Sequence, residues 1–132
     1  MANNTYKPVF APQLFIPHGT KNIDFYNKAF GAEELRRFSN DDGTVHVAEF
    51  SINGSLFHLH EDTERIKAFN PAKYNCTSVI IGLFVPDVDV VMKTALAAGA
   101  EQVSAAQDYE YGYRQGEVRD PFGHLWLIEQ KI

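Results

Sequence analysis

A chain of 132 residues, 45% hydrophobic and 22% charged, has the length and composition of one globular domain. Its net charge of −5 at pH 7 predicts no nucleic-acid partner and no binding to an anionic membrane surface, because there is no excess of cations to neutralise phosphates. No apolar run approaches the roughly 18 residues of a membrane span. The start, MANNTYKPVF, lacks the regions of a signal peptide, and a single cysteine excludes an internal disulfide, so a cytoplasmic location is expected.

The first half of the chain predicts a strand, a helix and three further strands. Asn53-Gly54 separates two β-rich runs and is the strongest short hairpin signal, because both turn residues need positive φ. Thr20 is the predicted N-cap of the helix, and Gly31 is its predicted end. The predicted elements are, in chain order, a strand over 9–16, a helix over 21–30, and strands over 35–38, 44–52 and 55–60.

The second half repeats this order. Asp87 is the predicted N-cap of a helix that stops at Gly99, and AAGAEQ at 97–102 resembles AFGAEE at 29–34. The predicted strands cover 78–85, 101–106, 117–119 and 124–129. The repeat predicts an α+β fold of two tandem βαβββ modules, at 7–62 and 77–132, joined by a connector at 63–76 within one domain, 1–132. In such a duplication Phe57 and Trp126 are equivalent and should both lie in the core.

The two-residue turn sets which residues of the first-half hairpin face each other. Counting outward from it, Glu49 faces His58 and Val47 faces His60. The opposite face is apolar, so it should pack against the helix, and the His-x-His pair should lie on the open face. Glu49 and His58 fall at a non-hydrogen-bonded position, where Cα atoms are about 4.5 Å apart and side chains meet. His46 is on the core side, and we expect a structural pairing with Glu61.

The Glu49–His58–His60 group has two interpretations. One is a solvated sheet face carrying a surface pair worth about 0–1 kcal/mol. The other is a cleft lined by a titratable pair that moves protons or holds a polar ligand. The first strand should add Gln13 and Phe15 to this face, with Phe10, Leu14 and Ile16 on the core side.

Other candidate residues lie in the second half. In its first strand Ile80, Gly82 and Phe84 should face the open side, and Val79, Ile81, Leu83 and Val85 the core. Tyr109, Tyr111, Tyr113 and Arg114 are predicted to form a glycine-flanked loop. These side chains either clamp a flat ligand and its carboxylate or phosphate, or pack over a cleft edge or a dimer interface. His124 is expected to be exposed beside a turn, and Cys76 to be buried and inert.

The whole pattern resembles the vicinal oxygen chelate superfamily, which includes glyoxalase I, bleomycin- and fosfomycin-resistance proteins and extradiol dioxygenases. It is most similar to the PhnB-like branch. The motifs that carry the resemblance are IDFYNKAFGAEE, HVAEFSINGSLF, VPDVDVVMKTALAAGA and, most specific, YGYRQGEVRDPFGHLW. The resemblance implies paired modules whose curved mixed sheets enclose a cleft, usually completed in a homodimer. Open sheet edges and apolar cleft walls also favour a homodimer.

The resemblance also implies four metal-ligand positions, which fall on Ala11 (or Gln13 if the strand slips), His58, Ile80 and Leu127. Only His58 is a good ligand, whereas a catalytic metal generally needs about three protein ligands. We therefore expect no cofactor. The alternative is a divalent metal on a non-standard set drawn from Gln13, Glu49, His58 and His60.

Two functions follow from these residues. The first is a metal-independent small-molecule-binding protein that holds an aromatic or polar metabolite in a cleft between the modules. The second is an enzyme, a lyase, isomerase or dioxygenase-like protein, that uses Glu49 and His58 as acid and base or a metal on His58. The predicted ligand-binding residues are Gln13, Glu49, His58, His60, Phe84, Tyr111 and Arg114.

Overall fold

The computed structural model describes residues 7–63 and 71–132. Eight strands form two four-stranded mixed sheets, with helices packed on them. The elements are β1 (Gln13–Ile16), α1 (Phe25–Phe30), β2 (Glu33–Ser39), β3 (Val45–Ile52), β4 (Ser55–Glu61), α2 (Pro71–Tyr74), β5 (Ile80–Phe84), α3 (Val88–Ala97), β6 (Glu101–Tyr109), β7 (Tyr113–Arg119) and β8 (Leu125–Lys131).

The predicted α+β fold of two tandem βαβββ modules is confirmed. The first sheet has the strand order β1-β4-β3-β2 and the second the equivalent order β5-β8-β7-β6, each with one parallel pair at its β1 or β5 edge. The turn between β3 and β4 has positive φ at both Asn53 and Gly54, as a two-residue hairpin requires. The hairpin register is the predicted one, with Glu49 opposite His58.

The core joins the two modules through aromatic side chains. Phe57 and Trp126 are both buried, as predicted, and their ring centroids lie 5.8 Å apart. Tyr26 on α1 is fully buried and contacts both rings. Each sheet therefore has one face covered by helices and the partner module, and one open face that carries the remaining side chains.

A buried carboxylate fastens the modules together. Asp120, which is 3% exposed, accepts hydrogen bonds at Oδ2 from the Tyr26 hydroxyl at 2.6 Å and the Trp126 indole at 3.0 Å. Its Oδ1 accepts from the backbone N–H groups of Phe122 and His124. Burial, then the charge and hydrogen bond of Asp120, raise the pKa of Tyr26 well above its usual value. The sequence predicted a turn at Asp120, and the same turn also connects the two modules through the hydrogen bonds of this carboxylate.

Two strands begin later than the apolar pattern predicted. β1 starts at Gln13, directly after a proline that cannot donate to the ladder, so Phe10 lies outside the strand and is 98% exposed instead of in the core. Val79 precedes β5 and is likewise exposed. The helix α1 begins at Phe25, because the Thr20 hydroxyl bonds back to the Pro17 carbonyl and does not cap the helix.

The predicted tyrosine loop is a hairpin. β6 runs through Tyr109 and β7 begins at Tyr113, which pair directly across a turn whose Gly112 has φ +89°. Polar side chains such as Gln107 and Gln115 continue the ladder, so hydropathy did not indicate these strands. Backbone pairing together with the β preference of tyrosine extends both strands.

Two further expectations are wrong. His124 is buried, because its Nε2 lies 2.7 Å from the Phe15 carbonyl oxygen in the first module. Cys76 is exposed, since it follows the short helix α2 within the predicted connector. Residues 64–70 of that connector lie outside the described residues. So do residues 1–6, which belong to the N-terminal segment that is not expected to be a signal peptide. None of the helices formed by the described residues has the length and apolar composition of a membrane span.

Candidate functional site

A polar row crosses the open face of the first sheet. The pairing of the four strands places Gln13 beside His58, His58 beside Glu49, and Glu49 beside Arg36. The neighbouring row is mostly apolar and contains Phe15, His60, Val47 and Phe38. The predicted face of the histidines is therefore confirmed. Small-molecule sites are mostly apolar and carry a few placed polar groups, and this face contains both kinds of side chain.

Glu49 and His58 form a hydrogen-bonded pair at the centre of this row. His58 Nε2 lies 3.0 Å from Glu49 Oε2, and the side chains are 29% and 24% exposed. Partial burial restrains both groups and leaves them accessible to a ligand. An imidazole against a carboxylate can donate to, accept from or exchange a proton with a bound polar group.

His60 lies on the same face, opposite Val47 in the row next to this pair. Its Nδ1 is 2.7 Å from the Glu61 backbone oxygen, and its ring packs against Phe15 with centroids 5.7 Å apart. His60 therefore forms the wall of the face and contributes a ring edge, while Glu49 and His58 contribute the hydrogen-bonding groups.

Arg36 is a site residue that the sequence analysis missed. A register shift between Glu34 and Arg36 changes the side of the sheet on which the side chains emerge, so that Glu34 pairs with Phe50 on the covered face and Arg36 with Glu49 on the open face. The Arg36 guanidinium lies over the ring of Phe38, 5.3 Å from its centroid. Alternation along the sequence could not reveal this position, because the bulge breaks it.

The predicted pairing of His46 with Glu61 is confirmed, and it is part of a larger hydrogen-bonded cluster around Glu61. Glu61 is buried, and its oxygens accept from Asn40 at 2.8 Å and lie 3.2 Å from Nδ1 of both His18 and His46. Burial alone would raise the pKa of Glu61, but the hydrogen bonds from these partners outweigh it and hold that pKa below its usual range. The cluster joins the β1–α1 loop to β3 and β4 on the covered side, so its role is structural.

The predicted site residues of the second half divide between the two faces of their sheet. Phe84 and Tyr111 are both exposed, with Phe84 on the open face. Arg114 emerges on the covered face, where Asp89 of α3 and Asp108 of β6 bind its guanidinium at 2.8–3.2 Å. These contacts raise the pKa of Arg114 above its usual value. Arg114 is thus separated from the face that carries Phe84.

The residues present do not fit the metal set that the resemblance implies. The side chains of Ile80, Leu127 and Ala11 have no donor atoms, and Ala11 precedes β1. Within residues 7–63 and 71–132, no three or more histidine, cysteine, aspartate or glutamate side chains are grouped so that they could hold a metal ion. Glu49, His58 and His60 therefore do not form such a group. No chemical step is therefore assigned to a metal.

A groove of about 930 Å³ runs between the modules where β1 lies near β5. Gln13 and Phe15 contribute from the first module, and Ile80 and Tyr74 from the second half of the chain. Because Gln13 also pairs with His58, the polar row reaches this groove, and a ligand that contacts both modules can contact the row.

Comparison with known proteins identifies the family. The model of the Glyoxalase/Bleomycin resistance protein/Dioxygenase superfamily matches residues 9–128. The chain belongs to this superfamily. Uncharacterized protein Rv0887c of Mycobacterium tuberculosis is 40% identical over 129 residues, which cover 96% of this chain and 76% of that protein.

Solved structures of this superfamily's fold are also similar. TioX from Micromonospora sp. ML1 has a TM-score of 0.67 at 26% identity, with 95% of this chain and 97% of that chain covered. The At5g48480 gene product of Arabidopsis thaliana has a TM-score of 0.71 at 27% identity, with coverage of 93% and 98%.

Proposed function

We propose that this member of the superfamily binds a small molecule, an aromatic or polar metabolite, on the open face of its first sheet, and that it does so without a metal. The observation that carries the proposal is the 3.0 Å contact between Glu49 and His58 on that face. The half-buried carboxylate of Glu49 and imidazole of His58 lie side by side, so they offer a bound ligand a hydrogen-bond acceptor and a donor in a fixed geometry.

The surroundings of the pair support binding. Phe15, Leu56 and Phe38 provide apolar surface on the same face, and Gln13 extends the polar row to the groove between the modules. Phe38 and Leu56 are large side chains left exposed, which favours their being covered by a ligand or a second copy. We propose that the protein is a homodimer that completes the cleft, and, from the YGYRQGEVRDPFGHLW motif, that it falls in the PhnB-like branch.

The second candidate function is catalysis by the same pair. The specific observation in its favour is again the contact between His58 Nε2 and Glu49, the arrangement of a general base positioned by a carboxylate. The bound compound would then be chemically changed, in a lyase or isomerase reaction, with His58 taking the proton. Binding and catalysis are separated by following the compound by NMR after incubation with the protein.

The test is a thermal-shift screen of aromatic and polar metabolites followed by calorimetric titration of the best compound. Glu49→Gln and His58→Ala should each weaken its binding by about tenfold or more, since loss of a hydrogen bond to a charged group costs about 1.5–3 kcal/mol. Glu34→Gln, which changes an acid on the covered face of the same sheet, is the matched control and should have no effect.

Two further arms address the metal and Arg114. EDTA should leave the affinity unchanged, and the purified protein should carry no stoichiometric metal. Near one equivalent of metal that is lost in His58→Ala would overturn the metal-free proposal. Arg114→Met should bind as the unmodified protein does, because Arg114 lies on the covered face. Equal affinities for all variants would place the ligand away from the polar row.

A further inference from the structure

The open face of the second sheet holds a buried carboxylate that the sequence analysis did not single out. Glu129 on β8 is only 7% exposed although its side chain emerges on this face. Its Oε2 occupies the space over Gly82, 2.8 Å from where a Cβ would stand. The absence of a side chain at Gly82 therefore makes the recess into which the carboxylate fits.

Within residues 7–63 and 71–132, the Glu129 carboxylate has a hydrogen bond from one side chain, that of Gln115, and no cationic partner. The Gln115 amide donates to Oε1 at 2.8 Å, and the Gln115 oxygen accepts from the Tyr111 hydroxyl. Among the described residues, no lysine or arginine forms an ion pair with Glu129. Lys131, two residues along the same strand, lies opposite Tyr113 and is exposed. A carboxylate that is only 7% exposed and forms no ion pair with the described residues would be stabilised by a positively charged ligand.

Aromatic residues lie on the strands that flank Glu129, and Phe84 is its direct neighbour on β5. Phe84 on β5 and Tyr113 on β7 come from the strands on either side of β8, and their ring centroids are 5.8 Å apart. Tyr111 packs edge-on against Tyr113 at 5.7 Å, and Tyr109 stacks on Tyr111 at 5.4 Å. Aromatic side chains on the strands next to a carboxylate can recognise an organic ammonium group, through cation–π attraction and a charge-assisted hydrogen bond.

We propose that Glu129, with Phe84 and Tyr113, forms a binding site for an organic cation, a ligand that carries an amine or ammonium group on an apolar body. The site is separate from the Glu49–His58 row, which lies on the other sheet, and does not depend on the function proposed for that row. Neutral or anionic ligands of the same shape would lack the interaction with Oε2.

Three fragments of one shape test this proposal: benzylamine, benzyl alcohol and benzoate, which are cationic, neutral and anionic at pH 7. Each is titrated into ¹⁵N-labelled protein. The side-chain amide of Gln115 serves as the local reporter, because it donates to Glu129. Benzylamine should bind with a Kd on the order of a millimolar, as expected for a fragment of about eight atoms, and should shift this amide. Benzyl alcohol should bind at least tenfold more weakly, and benzoate not at all.

Variants separate the charge from the rings. Glu129→Gln should weaken benzylamine by about tenfold and leave benzyl alcohol unchanged, because only the charge is removed. Glu117→Gln is the matched control, because Glu117 lies on the same strand and face as Gln115 and pairs with Leu127. This variant should bind benzylamine as the unmodified protein does. Phe84→Leu should weaken both benzylamine and benzyl alcohol. Equal affinity for the three fragments, or no effect of Glu129→Gln in a folded protein, would overturn the proposal.

Discussion

Replacement of Asp120 by asparagine tests how the two modules are held together. The carboxylate accepts four hydrogen bonds, from the Tyr26 hydroxyl, the Trp126 indole and two backbone N–H groups. Whichever way an asparagine amide turns, its NH₂ faces two of these donors. Each buried donor left without an acceptor costs about 1–3 kcal/mol, so Asp120→Asn should lower the free energy of unfolding by about 3 kcal/mol.

The assay is thermal unfolding followed by calorimetry. With an unfolding entropy of about 2.1 cal/mol/K per residue, a loss of about 3 kcal/mol lowers the Tm of a chain of this length by about 10 °C. Asp41→Asn, an exposed change of the same chemistry, is the control. A double-mutant cycle with Tyr26→Phe should show coupling of about 1 kcal/mol, because the two groups share a 2.6 Å hydrogen bond. A fall in Tm no larger than that of Asp41→Asn would show that the Asp120 carboxylate does not hold the modules together.

Two other predictions concern pH and assembly. Since the pKa of Glu61 is held down in the folded state, the stability this carboxylate contributes is complete above its ordinary pKa of about 4.3 and is lost as the pH falls through the lower folded value. Glu61→Gln should therefore cost about 1–3 kcal/mol in urea unfolding at pH 7 and much less near pH 3, and an equal cost at both pH values would contradict this. The exposed side chains of Leu56 and Phe38 predict a dimer, so light scattering should give twice the monomer mass, and a monomer mass across micromolar concentrations would count against it.

The strand register was predictable because it depends on local chemistry. Asn53-Gly54 sets the turn, and the period of two then assigns every residue of the hairpin to a face, which is why Glu49 and His58 were brought together correctly. The duplicated order of elements was predictable for a similar reason, since caps such as Asp87 and Gly31 are local signals.

What the sequence did not reveal depends on contacts distant in the chain. The burial of His124 depends on the Phe15 carbonyl oxygen of the other module, which lies within hydrogen-bond distance of its Nε2. Asp120 gains its role from the hydroxyl of Tyr26, 94 residues away. Arg36 reaches the open face through a bulge, and a bulge has no sequence signal in a polar edge strand. The recess for Glu129 likewise exists only because Gly82 is its neighbour on another strand.

Amide chemical-shift mapping with the best compound from the thermal-shift screen tests whether the Glu49–His58 row is the ligand site. The ¹⁵N-labelled protein is titrated in the presence of EDTA. We expect the largest shifts on β1, β3 and β4, around Gln13, Glu49 and His58. These shifts should be lost in His58→Ala and kept in Glu34→Gln. Shifts confined to the second sheet, or binding that disappears when EDTA is added, would contradict this expectation.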